Sequence, residues 1–459
     1  MIKNLSTLAT SVCCCLPSWA GDLQSELMYL RDNHPMLRAT TFAVTASEKR
    51  YTAAKAGWLP KVDVAAERGP EKIKTIPYAA GKPSPTPSET DLQRQKQSVT
   101  VTQNLFNGGR TLATTGVARI ERDIKQAERS AISQEVLLEA IVAYLQVLKN
   151  QMLISLSQIN EQTTQRQLDM EKKRVERGGG VIVDELQAAT RLQLVRERRV
   201  LYEQGMRDAL SNYEQVFGKL PELSEFQNIE IMTSRLPATI EEAMDDADEF
   251  NPRIQSAKMA SERAHKMIRL ESAGFMPNVD VVGTRNREND AGQLFRKEED
   301  SVLVKLSWNL FAGRETVSRA QAAAYDFREA AEKEKNVSNK TREAVRVAWN
   351  QYKKGIERLA LLETAVKTSQ GVMQGRKKLR DAGKETALAV LDAEVEHFGL
   401  LANKVNATID AAMGSYRLLS TVGRLDIGML GLDEGQLEIP VQPIDLAIKA
   451  LVGDQILIR

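Results

Sequence analysis

Residues 110–176 and 315–381 carry apolar or small side chains at alternating spacings of three and four. This spacing places the apolar positions on one stripe of a helix, and such a stripe drifts little when the helix coils against its neighbours. In the first stretch the stripe is formed by Ile120, Ile124, Ala127, Ala131, Leu138, Ile141, Leu145, Leu148, Met152, Leu156 and Ile159. The pattern predicts two long helices, each about 100 Å in length at the usual rise per residue.

Four shorter segments alternate between apolar and polar residues, as a strand with one apolar face does. They cover residues of about 61–68, 98–106, 278–285 and 301–311. In the last of them Val302 and Val304 fall on one face, while Lys305 falls on the other. The segments between paired strands, 69–97 and 286–300, are polar and rich in turn-forming residues, so we predict exposed loops there.

The two halves of the chain repeat one another. The matching segments are GWLPKVDV at 57–64 with GFMPNVDV at 274–281, and NLFNGGR at 104–110 with NLFAGR at 309–314. The first pair is offset by 217 residues, and positions from Phe106 and Phe311 onward are offset by 205. Several matches in fixed register indicate an internal duplication. Each copy reads strand, strand, long helix, glycine turn and returning helix, and the turns are predicted at Gly178 and Gly383.

This duplication predicts the domain organisation. The predicted parts are a first repeat at 21–218 with its returning helix at 184–217, a linker at 219–237, a second repeat at 238–423 with its returning helix at 386–422, and a C-terminal segment at 424–459. The linker and the C-terminal segment carry short apolar and proline-bearing stretches. We expect these two segments to form an equatorial belt around the long helices.

A junction between strands and long helix is predicted in each repeat. Its residues are Pro60, Phe106 and Gly108 in the first repeat, and Pro277, Phe311 and Gly313 in the second. Glycine permits backbone conformations that other residues avoid, so the chain can bend sharply where the second strand leads into the helix. We therefore predict that these residues form a hinge between the strand region and the helical region.

The first twenty residues predict a secretory signal peptide. Lys3 precedes an apolar run, and Ser18 and Ala20 place small residues at a cleavage site before Gly21. The three cysteines of the chain lie at 13–15, so the mature protein would have neither a disulfide nor a thiol nucleophile.

Composition and charge exclude several function classes. The formal net charge is +2 over 459 residues, which does not indicate a nucleic-acid-binding protein. Three scattered histidines, which we expect at the surface, have no neighbouring carboxylates or cysteines of a metal or acid–base site. We therefore predict that the protein is not an enzyme and carries no cofactor or metal.

Four strands are too few to close a barrel, because small closed barrels need about eight. An open strand edge in lipid leaves backbone groups without hydrogen-bond partners, which is costly. If the strands lie in a membrane, several chains must share one barrel. Three copies give twelve strands in a closed ring, so the sequence predicts a homotrimer.

The signal peptide, the duplicated order, the motifs WLPKVDV and NLFNGGR, and the glycine followed by an aspartate and a Leu-x-Ala stretch resemble the TolC family of trimeric outer-membrane channels. The resemblance implies a mostly α-helical chain with membrane β-strands. Three chains would form a twelve-stranded barrel in outer-membrane lipid of a Gram-negative bacterium, continuous with a periplasmic α-helical barrel. The implied partners are a periplasmic adaptor (membrane fusion) protein and an inner-membrane ABC or other transporter.

Three further segments are similar to the type I secretion branch of that family, which exports unfolded proteins such as adhesins and repeat toxins. They are AYLQVLKNQ at 143–151, AWNQY at 348–352 and SYRLLSTVGRLD at 415–426. The alternatives are an efflux pump for drugs or metals that uses an identical duct, and a periplasmic coiled-coil scaffold. The scaffold leaves the four strands and the signal peptide without a role.

The resemblance also implies a gate near the glycine turns. Asp392 lies where family members place an acidic residue at the periplasmic entrance, and three copies would form a cation-favouring ring. The alternative for Asp392 is an ordinary solvated helix face, and a second family aspartate is replaced here by Ala389. Asp184 begins the first returning helix, and we expect it to pair with Arg380 and with Lys384 across the hairpins; its alternative role is stabilisation of the helix dipole.

Overall fold

The computed structural model describes residues 21–76, 78–79, 82–83, 88–222, 235–290 and 295–426. The predicted signal peptide at 1–20 therefore lies outside the described residues, as do most of the linker at 219–237 and nearly all of the segment at 424–459. The described residues form eight α-helices, two short 3-10 helices and six strands.

The helices alternate with pairs of strands along the chain. The helices are α1 (Gly21–Asn33), α2 (Pro35–Lys55), α3 (Arg110–Glu176), α4 (Ile182–Phe217), α5 (Ile240–Phe250), α6 (Pro252–Ser272), α7 (Glu315–Asp381) and α8 (Ala387–Val422). The strands are β1 (Lys61–Thr75), β2 (Tyr78–Ala79), β3 (Lys82–Pro83), β4 (Ser88–Phe106), β5 (Asn278–Asp290) and β6 (Phe295–Ser307), and the 3-10 helices are Ala56–Trp58 and Ala273–Phe275. The predicted duplicated order of strand, strand and long helical hairpin is confirmed.

The two long helices have the bounds that the heptad-like pattern predicts. Both contain 67 residues and both returning helices contain 36, so the repeats match in length. The returning helices begin at Ile182 and Ala387, within two residues of the predicted starts.

The strands are longer than predicted. β1 and β4 reach Thr75 and Ser88, and β5 and β6 reach Asp290 and Phe295, so much of the two predicted loops is strand. Their polar side chains pair across the strands, for example Lys72 with Glu89 at 3.2 Å. Lys72 is diagonal to Glu89, because the register places Asp91 opposite Lys72 and Lys74 opposite Glu89. Opposite charges on such neighbouring residues stabilise a strand pair, and this stabilisation depends on a partner distant in sequence.

The four long strands form one antiparallel sheet in the order β1-β4-β5-β6, and β2 pairs with β3. The central pair β4–β5 joins the two repeats, and a bulge interrupts its register between Asn104 and Phe106. β1 and β6 are the two edges of the sheet. Pro70 is tolerated in β1 because an edge strand leaves some N–H groups outside the ladder.

The chain divides into two compact units. The helical unit comprises the described residues of the ranges Met1–Ala39, Ala131–Asn251 and Thr341–Arg459, and the sheet unit comprises Thr40–Ser130 and Pro252–Lys340. The core of the helical unit has two clusters of buried side chains. One contains Leu137, Ile141, Tyr144, Tyr213 and Tyr416, and the other contains Val345, Trp349, Tyr352, Leu418 and Val422.

Among the residues that the structure describes, one helix is long and apolar enough to cross a membrane by length and composition. It is α3, in which the most apolar window of 18 residues has half of its residues buried within the protein. A core helix of a water-exposed domain passes the same test. The buried positions of α3 include Leu137, Ile141 and Leu145, so its apolar character is accounted for by packing in the helical unit.

Candidate functional site

The chain reverses at Gly178 and at Gly383, between the long helix and the returning helix of each repeat. The two glycines have left-handed backbones, with φ of 73° and 72°. The N–H of Gly178 donates to the carbonyl of Val175 over 2.9 Å, and that of Gly383 donates to the carbonyl of Arg380 over 2.8 Å. The two hairpin turns therefore have the same hydrogen-bonding pattern and lie where the sequence places them.

Asp392 of α8 forms an ion pair with Arg191 of α4. The Asp392 side chain keeps 55% of its exposure, whereas that of Arg191 keeps 27%. Neither sequence alternative for Asp392 included this partner. The contact joins the returning helices of the two repeats, and it compensates within one chain much of the charge that a ring of carboxylates would otherwise present.

The predicted pair between Asp184 and Arg380 does not form within the chain. The Arg380 guanidinium instead lies 2.9 Å from the carboxylate of Asp381, and it donates to the side-chain carbonyl of Gln167 over 3.4 Å. Asp381 is adjacent to Arg380 in sequence and takes the place that the prediction gives to Asp184. Over the described ranges of the chain, neither Asp184 nor Lys384 has an ion-pair partner.

Asp184 and Lys384 have other places in the structure. Asp184 lies in the first turn of α4, where a carboxylate stabilises the helix dipole. The backbone N–H of Lys384 donates to the carbonyl of Leu379 over 2.9 Å and closes the second turn. The Asp184 side chain is half-buried and that of Lys384 is exposed.

A buried polar cluster, absent from the sequence prediction, lies close to the second turn. Glu394 is 2% exposed, and its carboxylate lies 2.7 Å from the ammonium of Lys377. Gln167 of α3 also donates to Glu394, over 3.5 Å. The cluster thus joins α7, α8 and the first long helix. Its sequence signal is the spacing of Glu394 and His397, which places both on one side of α8.

His397 belongs to the same cluster and is buried, so its prediction as a surface residue is wrong. Its Nδ1 lies 2.8 Å from the hydroxyl of Ser369. Burial, and to a smaller extent the positive charge of Lys377, lowers the pKa of His397. The ring is buried because this side of α8 packs against α7. His265 is exposed, as predicted.

The junction residues of the sheet unit differ between repeats. Gly108 and Gly313 both have left-handed backbones. A Cβ at Gly108 would lie 2.5 Å from the Cβ of Met276 and 2.8 Å from the carbonyl oxygen of Ala273, whereas a Cβ at Gly313 would meet nothing within 4 Å. The first junction is thus packed against the second repeat of the same chain. The equivalent side of the second junction is open.

The remaining junction residues flank the strands. Pro60 and Pro277 directly precede β1 and β5, and Phe106 is the last residue of β4. Phe311 lies beyond the end of β6, which stops at Ser307, so the prediction that the strand continues to residue 311 is wrong. The Phe311 side chain is 81% exposed.

Polar contacts connect the strand ends at the two junctions. The amide of Asn104 donates to Asn278 over 2.7 Å and to Asp280 over 2.8 Å. The indole N–H of Trp308 donates to the carbonyl of Phe275 over 3.0 Å. These contacts tie the start of β5 to the end of β4 and to the segment that follows β6.

The sheet has one apolar face and one mostly polar face. Directly opposed residues of neighbouring strands share a face. The apolar face carries Val62, Val64, Val99, Val101, Val279, Val281, Val302, Val304 and Leu306. The opposite face carries Asp63, Thr100, Thr102, Asp280, Thr284, Ser301 and Lys305. A sheet of this kind can face lipid on one side and water on the other.

Within the described ranges, no group of three or more His, Cys, Asp or Glu side chains could hold a metal ion. The buried cluster of Glu394 is held by a lysine and a glutamine, which are not the partners of a metal site. The arrangement is suited to holding helices in place.

Comparison with known proteins gives one family. The family model described as outer membrane efflux protein matches residues 28–219 and 243–424, once in each repeat. The chain is 22% identical over 432 residues to the outer membrane protein TolC of Vibrio cholerae, covering 92% of this chain and 93% of that protein.

A second relative is the alkaline protease secretion protein AprF of Pseudomonas aeruginosa, 25% identical over 318 residues, covering 67% of this chain and 64% of that protein. Among solved structures, that of CusC, described in terms of transmembrane channel formation, has a TM-score of 0.76 at 14% identity. The match covers 88% of this chain and 92% of CusC. At this identity the likeness concerns the fold.

Proposed function

Because the chain belongs to the outer membrane efflux protein family, we propose that three copies form the outer-membrane exit duct of a tripartite export system. The protein is an outer-membrane protein with a large periplasmic part and is not an enzyme. The observation that carries the proposal is the four-stranded sheet, which has one apolar face and two unpaired edges. Three such sheets make a closed ring of twelve strands, in which no edge is left in lipid.

The internal duplication supplies the register of the contact between chains. Inside one chain, Val101 of β4 pairs with Gly283 of β5. The repeat equivalents of these two residues are Leu306 of β6 and Ala66 of β1. The edge strand β6 of one chain would therefore pair with β1 of the next, with Leu306 opposite Ala66. The open side of Gly313 is consistent with this contact, because the equivalent side of Gly108 is filled by the neighbouring repeat.

A pair of engineered cysteines tests this register. The only native cysteines lie at 13–15, so the rest of the chain gives no background. We expect Ala66→Cys with Leu306→Cys to yield covalently linked oligomers up to the trimer after mild oxidation of outer membranes. Directly opposed residues lie within disulfide range. The matched control, Val64→Cys with Leu306→Cys, moves one cysteine by two residues on the same face and should link poorly.

If outer-membrane extracts contain only monomers, both before and after oxidation, this result would contradict the trimeric duct. Equal linking by both cysteine pairs would contradict the register and leave the trimer standing. A soluble elongated dimer in the periplasmic fraction would instead support the coiled-coil scaffold.

We further propose that the duct serves type I protein secretion, with a periplasmic adaptor protein and an inner-membrane ABC transporter as partners. The similarity to a protein named for alkaline protease secretion supports this choice. The alternative, efflux of drugs or metals, is supported by the description of the matching family model as an outer membrane efflux protein. Deletion of the gene in its host should remove particular proteins from the culture medium and leave resistance to dyes, antibiotics and metals unchanged. The opposite result would establish the efflux alternative.

The gate is proposed at the end marked by Gly178 and Gly383. Asp392 would contribute to a ring of three carboxylates that favours cations, and Arg191 would limit its charge. In single-channel recordings of reconstituted trimers we expect Asp392→Asn to lower the preference for cations. Arg191→Gln, which removes the compensating charge, should raise it. Unchanged selectivity in both variants would place Asp392 on an ordinary solvated helix face.

Asp184, Arg380 and Lys384 remain proposed gate residues through contacts between chains. Arg380 is held on its own chain by Asp381 and Gln167, so we expect charge reversal at Arg380 to loosen the hairpin and raise conductance. Lys340→Glu, which reverses an exposed charge on the same helix within the sheet unit, is the control. A conductance equal to that of the control would remove Arg380 from the gate.

A further inference from the structure

The apolar face of the sheet changes abruptly into a charged face towards the strand ends that are remote from the helices. On that same face, beyond the valines, lie six basic and four acidic side chains. They are Arg68, Lys72, Lys74, Arg285, Arg287 and Arg296, with Glu89, Asp91, Glu298 and Asp300. We name this set the charged belt. It has an excess of positive charge and directly continues the surface that faces lipid in the proposed duct.

Arg68 and Arg285 occupy the same position in the two repeats. Each lies four residues after the second valine of the VDV motif, on the valine face of its strand. Arg285 lies 3.5 Å from Asp300, an exposed pair that contributes little to stability. Across from Arg68 the register places Gln95, the repeat equivalent of Asp300. Arg68 has no ion-pair partner in the part of the chain that the structure describes.

The arginine is therefore present in both repeats. In the second repeat an acidic residue lies opposite it, and in the first repeat a glutamine does. An ion pair with the neighbouring strand explains an arginine at position 285, but it does not explain an arginine at position 68. A shared role must lie outside the sheet, on the side to which the valine face is turned. In the trimer the two positions give six guanidinium groups around the barrel, at the outer rim of its apolar band.

We propose that this ring of Arg68 and Arg285 binds the phosphate groups of lipids in the outer leaflet of the outer membrane. A guanidinium matches a phosphate with two parallel charge-assisted hydrogen bonds. The valines next to the ring hold the acyl chains of the same lipid, which favours a lipid over free phosphate. The remote strand ends face the outer leaflet because the helices are periplasmic. The inference rests on the proposed duct for this orientation.

The binding of a phosphorylated lipid to the purified trimer tests the proposal. The probe is an acylated glucosamine disaccharide with two phosphates, compared with its dephosphorylated form, in a non-ionic detergent. Bound lipids are counted by native mass spectrometry. We expect wild-type trimers to bind the phosphorylated form at least about tenfold more tightly, as one charge-assisted hydrogen bond allows. Equal binding of the two forms would overturn the proposal without any variant.

Substitution then locates the site. Arg68→Gln with Arg285→Gln should reduce the preference for the phosphorylated lipid about tenfold, and lysine at both positions should restore part of it. The matched control is Lys96→Gln with Lys297→Gln, which removes the same charge at a similar level from the opposite face. An equal loss in the control would show a general charge effect and overturn the assignment.

Trimer formation is established first by the cysteine cross-link. Trimers that link normally but do not distinguish the two lipids would refute the arginine ring and leave the duct intact. Monomers alone, both before and after oxidation, would refute the duct itself. If the glutamine variant does not assemble, the comparison of the two lipids on wild-type trimers still tests whether the trimer binds lipid phosphate.

Discussion

Replacement of Gly423 by alanine should destabilise the helical unit far more than the same replacement at Gly218. The two glycines are repeat equivalents, and each ends a returning helix with a left-handed backbone, with φ of 86° and 72°. A Cβ at Gly423 would lie 2.5 Å from the carbonyl oxygen of Phe250 and 2.6 Å from the nitrogen and Cα of Asn251. A Cβ at Gly218 would meet nothing within 4 Å.

The magnitude follows from two contributions. A left-handed backbone costs a residue with a Cβ about 1–2 kcal/mol, and this cost applies at both positions. At Gly423 the atoms in the way are backbone atoms, so the end of α8 must move away from α5. Such overpacking costs a further ~1–3 kcal/mol. The free energy of unfolding should therefore fall by about 2–5 kcal/mol for Gly423→Ala and by about 1–2 kcal/mol for Gly218→Ala.

The movement would also disturb polar contacts next to the glycine. The side chain of Asn251 donates to the carbonyl of Thr421 over 2.8 Å, and Arg424 lies 2.6 Å from Asp246. Asp246 is buried, and burial raises the pKa of its carboxyl, while Arg424 opposes that rise. If the end of α8 moves, the ion pair of Arg424 and Asp246 becomes exposed to water.

The assay is denaturant unfolding of detergent-solubilised protein at one fixed concentration, followed by far-ultraviolet circular dichroism. If unfolding is irreversible, unfolding rates are compared instead. Asparagine tolerates a left-handed backbone but has a Cβ. Gly218→Asn should therefore be nearly neutral, and Gly423→Asn should remain strongly destabilising. Equal effects of alanine at the two positions would refute the reasoning.

Three further outcomes are expected from the same unfolding assay. Burial lowers the pKa of His397, so the unfolded chain binds a proton more readily than the folded chain, and the free energy of unfolding should fall as the pH drops below 6.5. His397→Gln should reduce this loss of stability. A variant with the same pH dependence as the wild type would show that His397 does not cause the loss. Arg314 has a left-handed backbone with φ of 71°, so Arg314→Gly should stabilise by about 0.5–1 kcal/mol, whereas a loss of stability would show that its side chain matters more. The Thr239 hydroxyl accepts from the N–H of Glu242 over 3.2 Å, so Thr239→Ala should cost about 1 kcal/mol and Thr239→Ser little; equal losses would discount the cap.

The sequence predicts the helices well because their pattern is local. The stripe from Ile120 to Ile159 repeats within each turn, and the glycines that follow mark the ends. The strand lengths depend on residues far apart. Lys72 and Glu89 look like loop residues until each is placed opposite the other strand, where their charges compensate. A window along the chain contains no information on such a partner.

The contacts of the proposed gate residues show a similar limit. Asp392 and Asp184 could be located because each lies at a fixed distance from a glycine turn. The partner of Asp392 could not, because the choice of Arg191 depends on which sides of α4 and α8 meet. Arg380 pairs with the adjacent Asp381, since adjacent groups need little ordering, whereas its contact with Gln167 of α3 depends on how the long helices pack. Buried Glu394 was missed because its spacing from His397 places both on one side of α8 but does not show which helices cover that side.

The two unpaired edges of the sheet also bear on assembly. The proposed contact of β6 with β1 of the next chain would be head-to-tail, so each added chain would present a free edge until the last edge meets the first. A wrong angle at this contact would give an open filament in place of a ring. By repeat equivalence the angle is already present inside each chain, where β4 meets β5. A ring of six repeats closes when each step turns by about 60°. In the proposed ring, the number of chains is thus set by the angle between β4 and β5 of a single chain.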